Sequence, residues 1–137
     1  MRTALDTNIL SALWSSEPAA SQIARRLEQA YAEGGLVISA PVYAELLAHP
    51  SATAAFVDQF LANAGIVVDF DLGEQVWRMA AKAFANYANR RRRARAGHPK
   101  RLLVDFVIAA HASLAADRLM TLDAGRYSQE FSKLRIV

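Results

Sequence analysis

Cysteine is absent from the sequence, which excludes a disulfide framework and any thiolate-bound metal site. The three histidines are scattered, so a structural zinc site has too few ligands to draw on. None of the six glycines is followed by lysine, and a phosphate-cradling P-loop is excluded with it. Long apolar runs are missing too. The longest helical one, Leu102 to Ala116, is shorter than the roughly 20 residues that span a bilayer. Met1-Arg2 leads directly into a strand-like run, without the charged and apolar regions of a leader, and transit-peptide bias is lacking. These absences predict a soluble, cytoplasmic chain with no membrane partner.

What is present alternates between two periods. Strand-like runs occur at Arg2–Leu5, Leu36–Ile38, Ile66–Phe70, Arg118–Leu122 and Leu134–Val137. Helical patterns lie between them, after Asp6 and over Pro18–Glu33, Pro41–Ala48, Ala52–Asn63, Leu72–Arg93 and Leu102–Ala116. Gly34-Gly35, Pro50, Gly65 and Gly97-His98-Pro99 supply stop signals, and Ser39 and Asp71 are candidate caps. In the longest helix Val76, Met79, Ala80, Ala83, Phe84 and Tyr87 form an apolar stripe. Strand–helix alternation implies a parallel sheet covered on both faces. The expected fold is a single domain over residues 1–137, a three-layer α/β/α sandwich around a mostly parallel sheet of about five strands. In such sheets ligands bind beyond the carboxyl ends of the strands, where strand order reverses.

Four carboxylates stand apart from other charges. Asp6 is the only charged residue from Thr3 to Ser16, Glu45 the only charged one between Gly34 and Val57, and Asp105 the only one between Leu102 and Ala116. Asp123 ends the run RLMTLD. Each has an ordinary explanation. Asp6 can cap a helix, Asp105 can complement a helix dipole, Glu45 can face solvent and Asp123 can open a turn. Together they are less easily dismissed, because the topology carries several to one edge of the sheet. Two carboxylates ~4 Å apart repel by ~4 kcal/mol at an effective dielectric of about 20. A cluster of four therefore calls for a cation. Oxygen-only ligands favour a hard divalent ion, Mg²⁺ or Mn²⁺, which can activate water and neutralise charge on a phosphodiester.

The segments LDTNIL with Asp6, VYAEL with Glu45, DFVIAAHA with Asp105 and TLD with Asp123 resemble, in order and spacing, the four acidic motifs of the PIN-domain nucleases. The segment from Arg90 to Leu134 is most similar to the VapC toxin branch of bacterial toxin–antitoxin pairs, and the resemblance spans essentially the whole chain. It implies an Mg²⁺- or Mn²⁺-dependent endoribonuclease, a homodimer, and inhibition by a cognate antitoxin protein. It also implies that Asp6, Glu45, Asp105 and Asp123 are the catalytic and metal-binding acids, supported by Asn8 and Thr121. Some relatives carry a further acid beside the last one, where this chain has Ala124 and Gly125.

Seven of the sixteen basic residues fall in one twelve-residue window: Arg90, Arg91, Arg92, Arg93, Arg95, Lys100 and Arg101. A solvated helix end is the common fate of such a run. Directly before Asp105, it is also placed to contact RNA phosphates, and antitoxin docking competes for the same surface. Tyr87 and His98 are candidates for base stacking, with Tyr87 equally suited to the core. His111, six residues after Asp105, points to another helix face and reads as structural, and His49 is cut off from Glu45 by Pro50. Trp14, Trp77, Phe56, Phe60 and Leu61 read as core or dimer interface. A phosphorylatable receiver domain has similar size, but it wants paired acids after the first strand, where Thr7 follows Asp6. The stronger alternative is a PIN-fold binding or assembly module that does not cleave.

Overall fold

In a computed structural model that describes residues 1–15, 18–95 and 101–137, the two periods become a parallel sheet flanked by helices. His98, Lys100 and the Gly97-His98-Pro99 stop lie outside the described residues. The chain runs β1 (Thr3–Leu5), α1 (Thr7–Trp14), α2 (Ala20–Gly34), β2 (Leu36–Ser39), α3 (Ala40–Leu46), α4 (Ala54–Asn63), β3 (Ile66–Asp69), α5 (Glu74–Arg93), α6 (Leu103–Ala115) and β4 (Arg118–Met120), followed by a 3₁₀ turn at Ala124–Arg126. The strands lie in the order β3-β2-β1-β4, and every pairing is parallel. β1 and β2 are buried along their whole length, as apolar strands covered on both faces should be. β3 is an edge strand, and its Val67 is exposed.

The described residues form four strands where the hydropathy pattern predicts five. Leu134–Val137 makes only an isolated parallel bridge, Ile136 to Leu119. Leu119 N–H donates to Arg135 O at 2.8 Å and Val137 N–H to Leu119 O at 2.9 Å. The neighbouring strand β4 is itself three residues long, so little ladder is available to extend. It also stops at Met120, which leaves Thr121 and Asp123 beyond the strand rather than on one of its faces.

Local signals explain most boundaries. Thr53 caps α4, its Oγ1 accepting from Phe56 N–H at 3.1 Å. Gly65, just past that helix, has φ +67°, and a Cβ there would meet the Tyr31 ring at 2.5 Å. Neither expected side-chain cap forms as such. Ser39 occupies the N-cap of α3 but makes no capping bond, and its hydroxyl is buried without a partner among the described residues. Asp71 Oδ1 instead closes a turn onto Gly73 N–H at 3.2 Å, and Gly73 is the N-cap of α5. In α5 Val76, Ala80, Ala83 and Tyr87 are buried, with Met79 and Phe84 packed against the core. Tyr87 is 5% exposed and its ring lies 5.4 Å from Phe106, so it is a core residue rather than a base-stacking platform. Trp14 packs against Phe56 and Phe60 at 5.3 and 5.2 Å, whereas Trp77 is exposed and outside the core.

Helix α6 is buried continuously from Phe106 to Ala112, which is how a helix reads when it is packed on all sides. Its only polar interior residue is His111, whose Nε2 pairs with Asp69 Oδ2 at 2.8 Å. That bond ties α6 to the end of β3 and gives His111 a structural role. No helix of the described residues is long and apolar enough to cross a membrane.

Candidate functional site

Strand order reverses at β1, which has β2 on one side and β4 on the other. The carboxyl ends of β1 and β4 therefore flank a crevice. Asp6 follows β1 directly, and its N–H donates to Met120 O at 3.0 Å, tying it to the last residue of β4.

Asp6 is 2% exposed and does cap α1, with Oδ1 accepting from Thr7 N–H at 2.8 Å. Its other oxygen does more. Oδ2 accepts from Thr121 Oγ1 at 2.8 Å and from Tyr127 Oη at 2.7 Å. A carboxylate oxygen has two in-plane lone pairs, so Oδ2 is filled while Oδ1 keeps one open direction. Thr121 is equally committed. It donates to Asp6 and accepts from Asn8 Nδ2 at 3.2 Å and from Asp123 N–H at 3.1 Å. Asn8 Oδ1 in turn accepts from Leu122 N–H at 3.2 Å. One hydroxyl thus sets the positions of the first acid, the last acid and the loop between β4 and the 3₁₀ turn.

The other two acids join this network from different elements. Glu45, exposed in the last turn of α3, accepts from Thr7 Oγ1 at 2.6 Å, one residue from Asp6. Asp105 lies in the first turn of α6 with its side chain 16% exposed. Burial lifts its carboxyl above the usual range, Arg126 and Arg101 oppose that lift, and the charge of Asp6 adds to it. Between Asp105 and Asp123 stands a guanidinium. Arg126 Nη1 is 3.5 Å from Asp105 Oδ1, and Arg126 Nε is 3.3 Å from Asp123 Oδ2. Burial works against the charge on Arg126, but Asp105, Tyr127 and Asp123 outweigh it and hold its proton more firmly. The Tyr127 phenol is pushed well above its ordinary value, by burial and then by the Asp6 charge.

Glu45, Asp105 and Arg126 line an open cleft of about 740 Å³, together with Arg90, Arg91 and Arg101. Asp6 and Asp123 are not among the lining residues; Asp6 is linked to Glu45 through Thr7, and Asp123 pairs with Arg126. Arg90 pairs with Glu130 and sits over the Tyr87 ring at 5.6 Å. Arg101 Nη2 donates to Gly125 O at 3.2 Å, while its Nη1 is buried without a hydrogen-bond partner among the described residues. The rest of the basic run diverges: Arg92 bonds Asn89, and Arg92, Arg93 and Arg95 are exposed away from the described lining. His49 belongs to a separate cluster, with Nε2 at 3.3 Å from Ser15 Oγ and its ring beside Trp14. Sequence reasoning misses Thr7, Arg126 and Tyr127. The available signal is the Arg-Tyr pair directly after the Asp123 turn.

Among the described residues no three Asp, Glu or His side chains converge closely enough to hold a cation as they stand. The donor set is nevertheless of the right kind for a hard divalent ion. It offers carboxylate oxygens alone, with Asp6 buried and Asp105 partly desolvated, and a positive group already lies between Asp105 and Asp123.

Comparison with curated proteins returns no match. Among solved structures, the chain is similar to VapBC-1 from nontypeable Haemophilus influenzae, with 30% identity, 100% of this chain and 97% of that one covered, and a TM-score of 0.71. It shares its fold with VapBC2 from Rickettsia felis bound to a promoter DNA fragment (21% identity, 100% and 98% covered, TM-score 0.65). It shares the fold also with a toxin–antitoxin complex from Klebsiella pneumoniae (21% identity, 98% and 95% covered, TM-score 0.61). The sequence matches the PIN domain over residues 3–131, and on that match the chain belongs to the PIN domain family.

Proposed function

We propose that this chain is a divalent-metal-dependent endoribonuclease, the toxin of a pair whose second member is a protein antitoxin, and that it acts as a homodimer. The observation that carries the reading is the linkage of four acids from four separate segments around one crevice. Glu45 is joined to Asp6 through Thr7, Asp6 to Asp123 through Thr121, and Asp123 to Asp105 through Arg126. Family membership supports nuclease chemistry, and the likeness to VapBC-1 and to a toxin–antitoxin complex supports an antitoxin partner.

Asp6, Asp105 and Asp123 would hold Mg²⁺ or Mn²⁺, with Glu45 reaching it directly or through water. When bound, the ion would activate water and offset charge developing on the leaving oxygen. The chain's own groups do the rest. Asp6 offers the open side of Oδ1, because Thr121 and Tyr127 occupy Oδ2 and hold the carboxylate in one orientation. Glu45, exposed on the cleft wall, is the acid free to take a proton from the attacking water. Arg101, with a buried nitrogen left to satisfy, and Arg90 and Arg91 draw the RNA phosphates across the acids. Lys100 is assigned to the same task from its place in the sequence.

The test is cleavage of a labelled RNA with Mg²⁺, with Mn²⁺ and with EDTA. Cleavage should require the ion and disappear in Asp6→Asn, whose circular dichroism should match the parent. RNA binding that ignores the chelator, with no cleavage under any condition, would favour the non-cleaving module instead.

A further inference from the structure

We propose that Arg126 is a resident counter-cation: it bridges Asp105 and Asp123 in the metal-free chain, and a divalent ion must displace its guanidinium to bind there. This rests on the reading that these acids bind an ion. It adds that the chain carries an internal competitor for that site.

Three features support the exchange. The contacts are long, 3.3 and 3.5 Å, at or beyond the end of the range for a firm charge-assisted bond, so they are suited to being broken. The side chain is 37% exposed and lines the cleft, so it can swing outward without opening the core. The backbone beneath it is fixed. Arg126 N–H donates to Asp123 O at 3.2 Å, Arg101 holds Gly125 O, and the next residue, Tyr127, is buried with its hydroxyl on Asp6. A side chain that moves on a turn that does not is the arrangement expected of a removable stand-in. Without it, Asp105, which already feels the charge of Asp6, and Asp123 would each lose the ion pair that Arg126 makes with them.

The experiment is calorimetric titration of Mn²⁺ into the metal-free full-length chain, as wild type, Arg126→Gln and Arg126→Lys. Removing a partly solvated charge that close to two ligands should tighten Mn²⁺ binding roughly tenfold in Arg126→Gln. Arg126→Lys, which keeps the charge, should stay near wild type. Equal or weaker binding by Arg126→Gln overturns the proposal while leaving the metal reading in place. If neither chain binds Mn²⁺, both fall together. A second measurement covers a variant that does not fold: the Arg126 Nε–H resonance of the wild type should shift as Mg²⁺ is added. A resonance unmoved at Mg²⁺ concentrations that saturate the protein overturns the proposal.

Discussion

The Tyr127 hydroxyl donates a 2.7 Å hydrogen bond to Asp6 Oδ2 across 121 positions of sequence. Both residues are buried, so neither can turn to water if the other is removed. A hydrogen bond to a charged group contributes about 1.5–3 kcal/mol, and Tyr127→Phe should lose an amount in that range in urea unfolding. A loss below about 0.5 kcal/mol would mean that Thr121 alone satisfies Asp6.

Asp105 should make the metal-free chain less stable at neutral pH than a neutral residue would. Its carboxyl titrates above the ordinary value because burial outweighs the attraction of Arg126. The folded state then holds this proton more tightly than the unfolded chain. The resulting stability is fully present below the unfolded carboxylate pKa of about 3.9 and is lost as pH rises through the elevated folded value. Asp105→Asn should therefore unfold at a higher temperature than wild type at pH 7 without metal, with the gap closing at acid pH. A lower melting temperature at pH 7 would contradict this.

Glu33 carries the opposite sign. Gln29 and Arg118 hydrogen-bond it and hold its carboxyl below the ordinary range, and Arg118 is itself buried and bonded to Thr3 Oγ1 at 2.8 Å. That stability is present above the unfolded pKa and is lost as pH falls through the depressed folded value. Glu33→Gln should lower the melting temperature at neutral pH and have little effect at the most acid pH where the fold survives. An equal effect at both would show that the charge is not responsible.

If Arg101 meets a phosphate, Arg101→Ala should weaken RNA binding regardless of sequence. It should also flatten the slope of log affinity against log salt by roughly 0.7, the single-strand value per contact. Weaker binding with an unchanged slope would assign Arg101 to holding Gly125 instead.

The fold was legible because its signals are local. Apolar β1 and β2, the α5 stripe and the glycine stops each act within a few residues. The acids were legible because each stands alone in an apolar stretch. What sequence could not give was their wiring. Thr121 was visible as a neighbour of Asp123, but its bond to Asp6 depends on the β1–β4 pairing. Arg126 and Tyr127 look like ordinary turn residues until the fold brings Tyr127 onto Asp6 and Arg126 beside Asp105. Tyr87 and Trp77 share a helix, and only packing against Phe106 decides that one is core and the other is not.

Asp6 is bound to Thr121 and Tyr127, so segments more than a hundred residues apart must meet before its carboxylate is oriented. Contacts this distant in sequence form late, once the intervening chain has been ordered. A chain emerging from the ribosome amino end first would therefore carry Asp6 without these two partners until Tyr127 has been made. On the proposed reading, a nascent toxin stays harmless to the messenger that encodes it until the chain has been made past Tyr127.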